Sequence, residues 1–163
     1  MIRLDRPHVR LHRSYLEAHD EFGEDHRDGD GDWVEPPDAG GYPGVTWTRD
    51  ELDTPDGFAR FVQWRLDRAR DDSPRPTGHL PATFYWVVDD ADPDTYLGSI
   101  AVRHGLTPFL LEVGGHIGYS VRPSARRRGV ATEALRQVLP HAAALGIDPA
   151  WSRATSTTSP RRG

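Results

Sequence analysis

The sequence predicts a single α+β domain, with a mainly antiparallel central sheet flanked by helices. Three observations predict it. Apolar residues recur at three- and four-residue spacing in two stretches before residue 71 and in one after residue 128. Between these helices, β-branched and aromatic runs follow one another with turn residues in the gaps, the pattern of successive paired strands. The chain has 163 residues, 36% hydrophobic and 28% charged, enough for one domain with a substantial core.

Residues 2–4 read as a short first strand. Over 9–22, Leu11, Tyr15, Ala18 and Phe22 form one apolar helix face. The segment 23–42 is rich in Asp, Gly and Pro and reads as a loop. A second helix spans 55–70, with Thr54 as N-cap and Pro55 in the first turn. Its buried side carries Phe58, Phe61, Val62, Leu66 and Ala69. Residues 82–89 form a strand, 90–94 (Asp-Ala-Asp-Pro-Asp) a turn, and 95–103 the returning partner. Gly98 within that partner marks a bulge or a close backbone approach. After a connection over 106–115, residues 116–121 make a further strand, which Pro123 ends. A helix then runs over 129–145, its buried stripe built from Val130/Ala131, Ala134/Leu135, Val138/Leu139 and Ala142/Ala143. Pro140 removes one hydrogen bond from that helix and predicts a kink. The order is β-α-α-β-β-β-α.

Net charge is −5, unevenly placed. Residues 1–100 carry 11 Arg against 22 acidic side chains, whereas 101–163 carry 9 Arg against 3. A basic end suits phosphate and an acidic end suits an amine, so the two ends are expected to meet different ligands. No apolar run approaches the roughly 20 residues needed to cross a bilayer. The first residues have no apolar segment of the kind that directs secretion, so the expected compartment is the cytoplasm, with no membrane partner. The chain has no cysteine, which excludes disulfides and thiolate chemistry.

The chemistry concentrates between His116 and Thr132. A strand there runs into a short basic turn that opens directly into a helix. The first turn of a helix presents unpaired N–H groups and a partial positive charge, a setting for phosphate. Gly129 and Ala131 leave room for close approach, and Arg126, Arg127 and Arg128 add fixed charge whose geometry matches phosphate.

In these residues the chain resembles the GNAT acetyltransferase family, whose acetyl-CoA signature is Gln/Arg-x-x-Gly-x-Gly/Ala at the start of the helix after the fourth strand. Arg126-Arg127-Arg128-Gly129-Val130-Ala131 satisfies all three fixed positions. The preceding strand Ile117-Gly118-Tyr119-Ser120-Val121 and the hairpin through Gly98-Ser99-Ile100 support the likeness, which covers roughly 82–147. The resemblance implies that backbone N–H groups from Arg127 through Gly129, Val130 and Ala131 to Thr132 hold a pyrophosphate. It implies too that pantetheine lies along the strand ending near Val121, whose backbone fixes the thioester. It further implies transfer of acetyl from acetyl-CoA, as co-substrate, to a primary amine of a small molecule or peptide.

His116 stands on the fourth strand, where many members of that family carry Glu, and an imidazole titrates in the range a general base needs. It is the candidate catalytic residue, set against a histidine that merely belongs to the strand. Tyr119 is expected in the core or a pocket wall and His104 in a loop. The family's general acid, a Tyr on a later helix, has no counterpart here. Trp33 and Glu35, with Tyr42 and Trp47, are candidates for an aromatic and acidic wall around a cationic acceptor, set against an ordinary solvated loop. Asp28-Gly29-Asp30-Gly31-Asp32 resembles half a calcium loop. Trp33 stands where that loop needs Gly, and Ala39 where it needs a bidentate carboxylate, so no metal is expected.

After Trp151 the chain contains no Val, Leu, Ile or Phe, so 148–163 is expected to be a disordered tail beyond an incomplete acetyltransferase domain at 1–147. All 20 basic residues are Arg, as in a GC-rich gene, where an out-of-frame reading yields such Ser/Thr/Pro/Arg tracts. The expectation is a frameshift near Ala150, with the C-terminal strands and helix of the fold lacking. A truncated, inactive relative with weak or no CoA binding is therefore one alternative function. A nucleic-acid-binding module is another, disfavoured by net charge −5 and the lack of a basic stripe elsewhere, so no nucleic acid is expected as partner. A homodimer is compatible with these features.

Overall fold

The structure is a computed structural model that describes residues 1–105, 116–146 and the backbone of 154–156. The expected connection at 106–115 and the rest of the expected tail lie outside the described residues.

In chain order the elements are β1 (Ile2–Asp5), a 3-10 turn (Val9–Leu11), α1 (His12–Phe22), β2 (Val34–Glu35), β3 (Val45–Thr46), α2 (Arg49–Asp53) and α3 (Pro55–Asp67). They continue with β4 (Ala82–Asp89), β5 (Gly98–Arg103), β6 (Ile117–Val121), a 3-10 turn (Pro123–Ala125), α4 (Val130–Ala144) and β7 (Ala154–Ser156). The sheet order is β1-β4-β5-β6-β7. The first three pairings are antiparallel and β6–β7 is parallel, so the fold is α+β with a mainly antiparallel sheet, as expected.

Both faces of the sheet are covered, which explains why β4 reads as a near-continuous apolar run rather than a strict alternation. Trp86 and Val88 face α1 and α3, where Tyr15 stacks on Trp86 with centroids 4.8 Å apart and meets Phe58 and Phe61 at 5.7 and 5.6 Å. Val87, Ile100, Val102, Ile117 and Val121 face the other way, onto Val130, Ala134, Val138 and Ala142 of α4. The four-residue spacing of the α4 positions is thus the stripe the helix buries.

Local signals account for most boundaries. Thr54 caps α3 by accepting the Gly57 N–H at 3.0 Å, with Pro55 as its first residue. Gly98 is a close approach and not a bulge: a Cβ there would lie 2.3 Å from the Ser120 carbonyl oxygen, and the β5–β6 register is unbroken. α4 continues through Pro140 to Ala144, because its neighbours on the buried stripe hold it against the sheet.

Four elements differ from expectation. The loop over 23–42 contains β2, which pairs with β3, and α2 follows it. Thr48 starts α2 by accepting the Glu51 N–H at 3.1 Å, a Thr-x-x-Glu capping pattern. The expected disordered tail contributes β7, with Ile117, Gly118 and Tyr119 opposite Ala154, Thr155 and Ser156. Pairing on a strand edge uses main-chain groups, so a segment without large apolar side chains still completes a ladder.

Candidate active site

β6 delivers the chain into a turn that is pinned from below. The Arg122 guanidinium donates to the Tyr96 carbonyl at 3.0 Å and to Glu21 Oε2 at 3.1 Å. Glu21 Oε1 in turn accepts the Ser124 N–H at 2.6 Å, which ties the end of α1 to the turn. Burial works to raise the Glu21 carboxyl pKa, but the Ser124 and Arg122 hydrogen bonds hold it below its ordinary value. Arg126 folds back, its Nε donating to the Val121 carbonyl at 3.1 Å and its guanidinium 5.9 Å from the Phe22 ring.

The next residues turn through the left-handed region, at Arg127 (φ 65°) and Gly129 (φ 76°). The first bond of α4 runs from the Glu133 N–H to the Gly129 carbonyl at 3.1 Å, and no side chain caps the helix. The N–H groups of Val130, Ala131 and Thr132 therefore lack intrahelical partners. Nothing lies within 4 Å of where a Gly129 Cβ would be, so the space before the helix is clear. Arg127, Arg128 and Thr132 are exposed, whereas the Val130 side chain enters the core and leaves only its backbone at the site.

The two edges of β6 are used differently. The Arg122 N–H donates to the Leu97 carbonyl and the Arg103 N–H to the His116 carbonyl, so even-numbered residues of β6 bond to β5. The main chain of Val121 consequently faces the β7 side. Among the described residues the β7 ladder covers Ile117 to Tyr119, and Val121 follows at the end of β6 nearest the α4 N-terminus.

His116, Gly118, Ser120 and Arg122 share the face of the sheet that α1 covers. His116 is buried, and its Nδ1 has no hydrogen-bond partner among the described residues. Burial, and then the Arg103 charge, push its pKa below 6.5, so it is neutral at physiological pH. Ser120 is buried with an equally unpartnered Oγ. Over Gly118 lies Asp28, its Oδ1 2.8 Å from where a Gly118 Cβ would be. Gly29 allows this, with φ 79° and a Cβ position only 2.3 Å from the Gly118 carbonyl oxygen. Asp30 anchors the loop from beneath, accepting from Tyr15 Oη and Ser99 Oγ at 2.9 Å each and pairing with Arg27 at 2.9 Å. Burial raises the Asp28 pKa, while Arg103, 3.4 Å away, opposes the shift.

Sequence reasoning did not single out Asp28. The Asp-Gly-Asp-Gly-Asp run was the available signal, in which Gly29 meets the Gly118 backbone and Gly31 the Arg65 guanidinium.

The other acceptor candidates are engaged internally. Glu35 is buried, receives Arg68 through both oxygens at 3.1 and 3.0 Å, and accepts from Tyr42 Oη at 2.6 Å. Burial, and then Glu35, push the Tyr42 hydroxyl up to about 12. Trp33 stacks on His19 with centroids 4.0 Å apart and donates to Tyr15 Oη at 3.2 Å, while Trp47 packs on Phe61 and Trp64. None of these contacts involves β6. His104 follows β5 and bonds Thr83 Oγ1 at 2.7 Å, and Tyr119 packs with the α4-side core. A cavity of about 300 Å³ opens between Tyr42, Val45, Trp64, Arg68 and Pro74, and it shares no residue with β6 or α4.

A central strand that ends in a basic turn and an uncapped helix, with a neutral buried histidine further back, defines a domain suited to a phosphorylated donor and to proton transfer. A family profile described as the acetyltransferase (GNAT) domain matches residues 24–161, and the chain belongs to that family. It is thus a GNAT-family acetyltransferase. The match extends past residue 147, the domain boundary expected from composition, and includes β7. Among solved structures the chain is similar to a predicted acetyltransferase with acetyl-CoA from Clostridium acetobutylicum, at 12% identity and a TM-score of 0.37, over 98% of this chain and 82% of that one. No curated protein matches the chain significantly. Among the described residues no helix is long and apolar enough to cross a membrane.

Proposed function

We propose that this chain is an acetyl-CoA-dependent N-acetyltransferase acting on a primary amine of a small molecule or peptide. The observation that carries the reading is the uncapped start of α4, entered through Arg126, Arg127 and Arg128 from the end of β6. The N–H groups of Val130, Ala131 and Thr132, with the exposed Arg127 and Arg128, receive the pyrophosphate. Arg126 acts on the protein side of the turn, since its Nε is committed to Val121.

Acetyl-CoA supplies an acetyl group activated as a thioester. The Val121 N–H faces the position where the thioester carbonyl lies and stabilises the oxyanion that develops there. The acceptor enters as an ammonium and loses one proton to neutral His116. His116 and Val121 stand five positions apart along the strand, so the proton travels through water. The amine nitrogen then bonds to the carbonyl carbon, the C–S bond breaks, and the CoA thiolate takes a proton from the new amide nitrogen. The products are the N-acetyl amide, CoA and one proton left on His116 for release to solvent.

Calorimetric titration with acetyl-CoA, followed by measurement of CoA release with a panel of amines, tests the reading. Micromolar binding with amine-dependent release is expected. A folded protein that binds no acetyl-CoA contradicts it.

A further inference from the structure

On the face of the sheet toward α1, His116 Nδ1, Ser120 Oγ and Arg122 Nε are buried with no hydrogen-bond partner among the described residues. Arg122 already bonds through its other nitrogens, whereas His116 and Ser120, 9% and 1% exposed, leave Nδ1 and Oγ without a partner among the described residues. Buried polar groups are ordinarily satisfied, so two orphans on one strand face mark a place where a polar ligand belongs. Between them is Gly118, and over Gly118 sits the Asp28 carboxylate. Asp28 therefore lies between the base candidate and the end of the strand where the thioester is expected.

Its placement is enforced. Gly29 brings the loop backbone against the Gly118 carbonyl, and the buried Asp30 cluster holds the next turn. Among the described residues Asp28 is engaged through Oδ1, by the Gly29 N–H at 3.2 Å and by Arg103 at 3.4 Å, and Oδ2 accepts no hydrogen bond. Along the same segment Glu24 and Asp32 are exposed and form no ion pair among the described residues, while Arg103 is the cation beside Asp28. A part-buried carboxylate with a spare oxygen attracts an alkylammonium group more strongly than the same carboxylate in water would.

We propose that Asp28 is the acceptor-recognition residue of this acetyltransferase, binding the acceptor's ammonium group through Oδ2 and restricting acceptors to cationic primary amines. This rests on the reading of the site as an N-acetyltransferase. His116 takes the proton from the nitrogen that Asp28 holds, and the unpartnered Ser120 hydroxyl lies on the path between them and the thioester.

The test uses the whole chain and 1,4-diaminobutane as probe, with acetyl-CoA affinity measured in parallel. Asp28→Asn keeps the size of the side chain and removes its charge. It should leave the acetyl-CoA Kd within about two-fold and raise the KM for 1,4-diaminobutane ten-fold or more. Gly118→Ala keeps the charge but displaces the carboxylate, and should raise KM in the same direction. An unchanged KM in Asp28→Asn overturns the proposal, as does a KM rise matched by an equal loss of acetyl-CoA affinity. If acetyl-CoA does not bind at all, the acetyltransferase reading fails separately. Calorimetric binding of 1,4-diaminobutane to the protein alone then decides Asp28: loss of that binding in Asp28→Asn supports it, and its absence or persistence overturns it.

Discussion

Replacing Glu35 with Ala separates a structural carboxylate from an acceptor-binding one. Both Glu35 oxygens bond Arg68, the two side chains are each 10% exposed, and Tyr42 donates to the same carboxylate. Removal leaves a buried guanidinium and a buried phenol unpaired. Breaking a buried ion pair by deleting one partner costs about 3–5 kcal/mol, and the slight residual exposure favours the lower end, about 3 kcal/mol. At about 2–4 °C per kcal/mol for a chain of this size, Tm should fall by roughly 6–12 °C. The Glu35→Ala, Arg68→Met double variant should recover part of that loss, because the stranded charge is gone. Urea denaturation of these two variants, of Arg68→Met and of the unaltered protein gives the cycle, and acetyl transfer measured well below each Tm gives the functional comparison. A stability loss under about 1 kcal/mol together with a raised acceptor KM would refute the structural assignment and return Glu35 to the acceptor site.

His116 must be neutral to accept a proton, and burial with Arg103 holds its pKa below 6.5, so kcat/KM should fall through an acid limb centred below that value. His116→Ala should lower turnover and remove the limb; a limb that persists makes the histidine structural. Arg127→Ala and Arg128→Ala, at exposed positions, should each weaken acetyl-CoA binding only about two- to five-fold, and less as salt rises, as calorimetry at two ionic strengths will show. Glu21→Gln disturbs the bonds to Ser124 and Arg122 without touching the ligand, and should cost about 1–2 kcal/mol in urea denaturation with a several-fold weaker acetyl-CoA Kd.

The elements with strong local signals were legible in the sequence. Thr54-Pro55 placed the start of α3, the β-branched and aromatic residues of β4 placed that strand, and paired apolar positions placed α4. The basic turn and the helix start over Arg126 to Thr132, on which the proposed pyrophosphate site rests, were legible because both features are local. The buried arginines were less legible. Phe58, Phe61, Arg65 and Arg68 share one stripe at three- and four-residue spacing, yet a charged residue is ordinarily read as outward-facing. Arg65 is tolerated inside because its guanidinium lies 4.9, 4.7 and 5.0 Å from the rings of Phe61, Trp64 and Phe84. β7 was illegible for a different reason, since its pairing depends on the exposed edge of β6 and not on its own composition. Asp28 was missed because its position depends on two backbones meeting, Gly29 against Gly118, and no pattern in either segment refers to the other.

The central claim is that the start of α4 receives the pyrophosphate of acetyl-CoA, and calorimetric titration of Gly129→Ala and Gly129→Glu beside the unaltered chain tests it most directly. Both substitutions carry the same left-handed backbone cost at φ 76°, about 1–2 kcal/mol, and neither side chain meets a protein atom at its Cβ. They differ in the carboxylate, which Glu would place where the phosphates belong. The account predicts measurable acetyl-CoA binding by Gly129→Ala and none by Gly129→Glu, with both proteins folded by circular dichroism. Equal affinity in the two variants would contradict it.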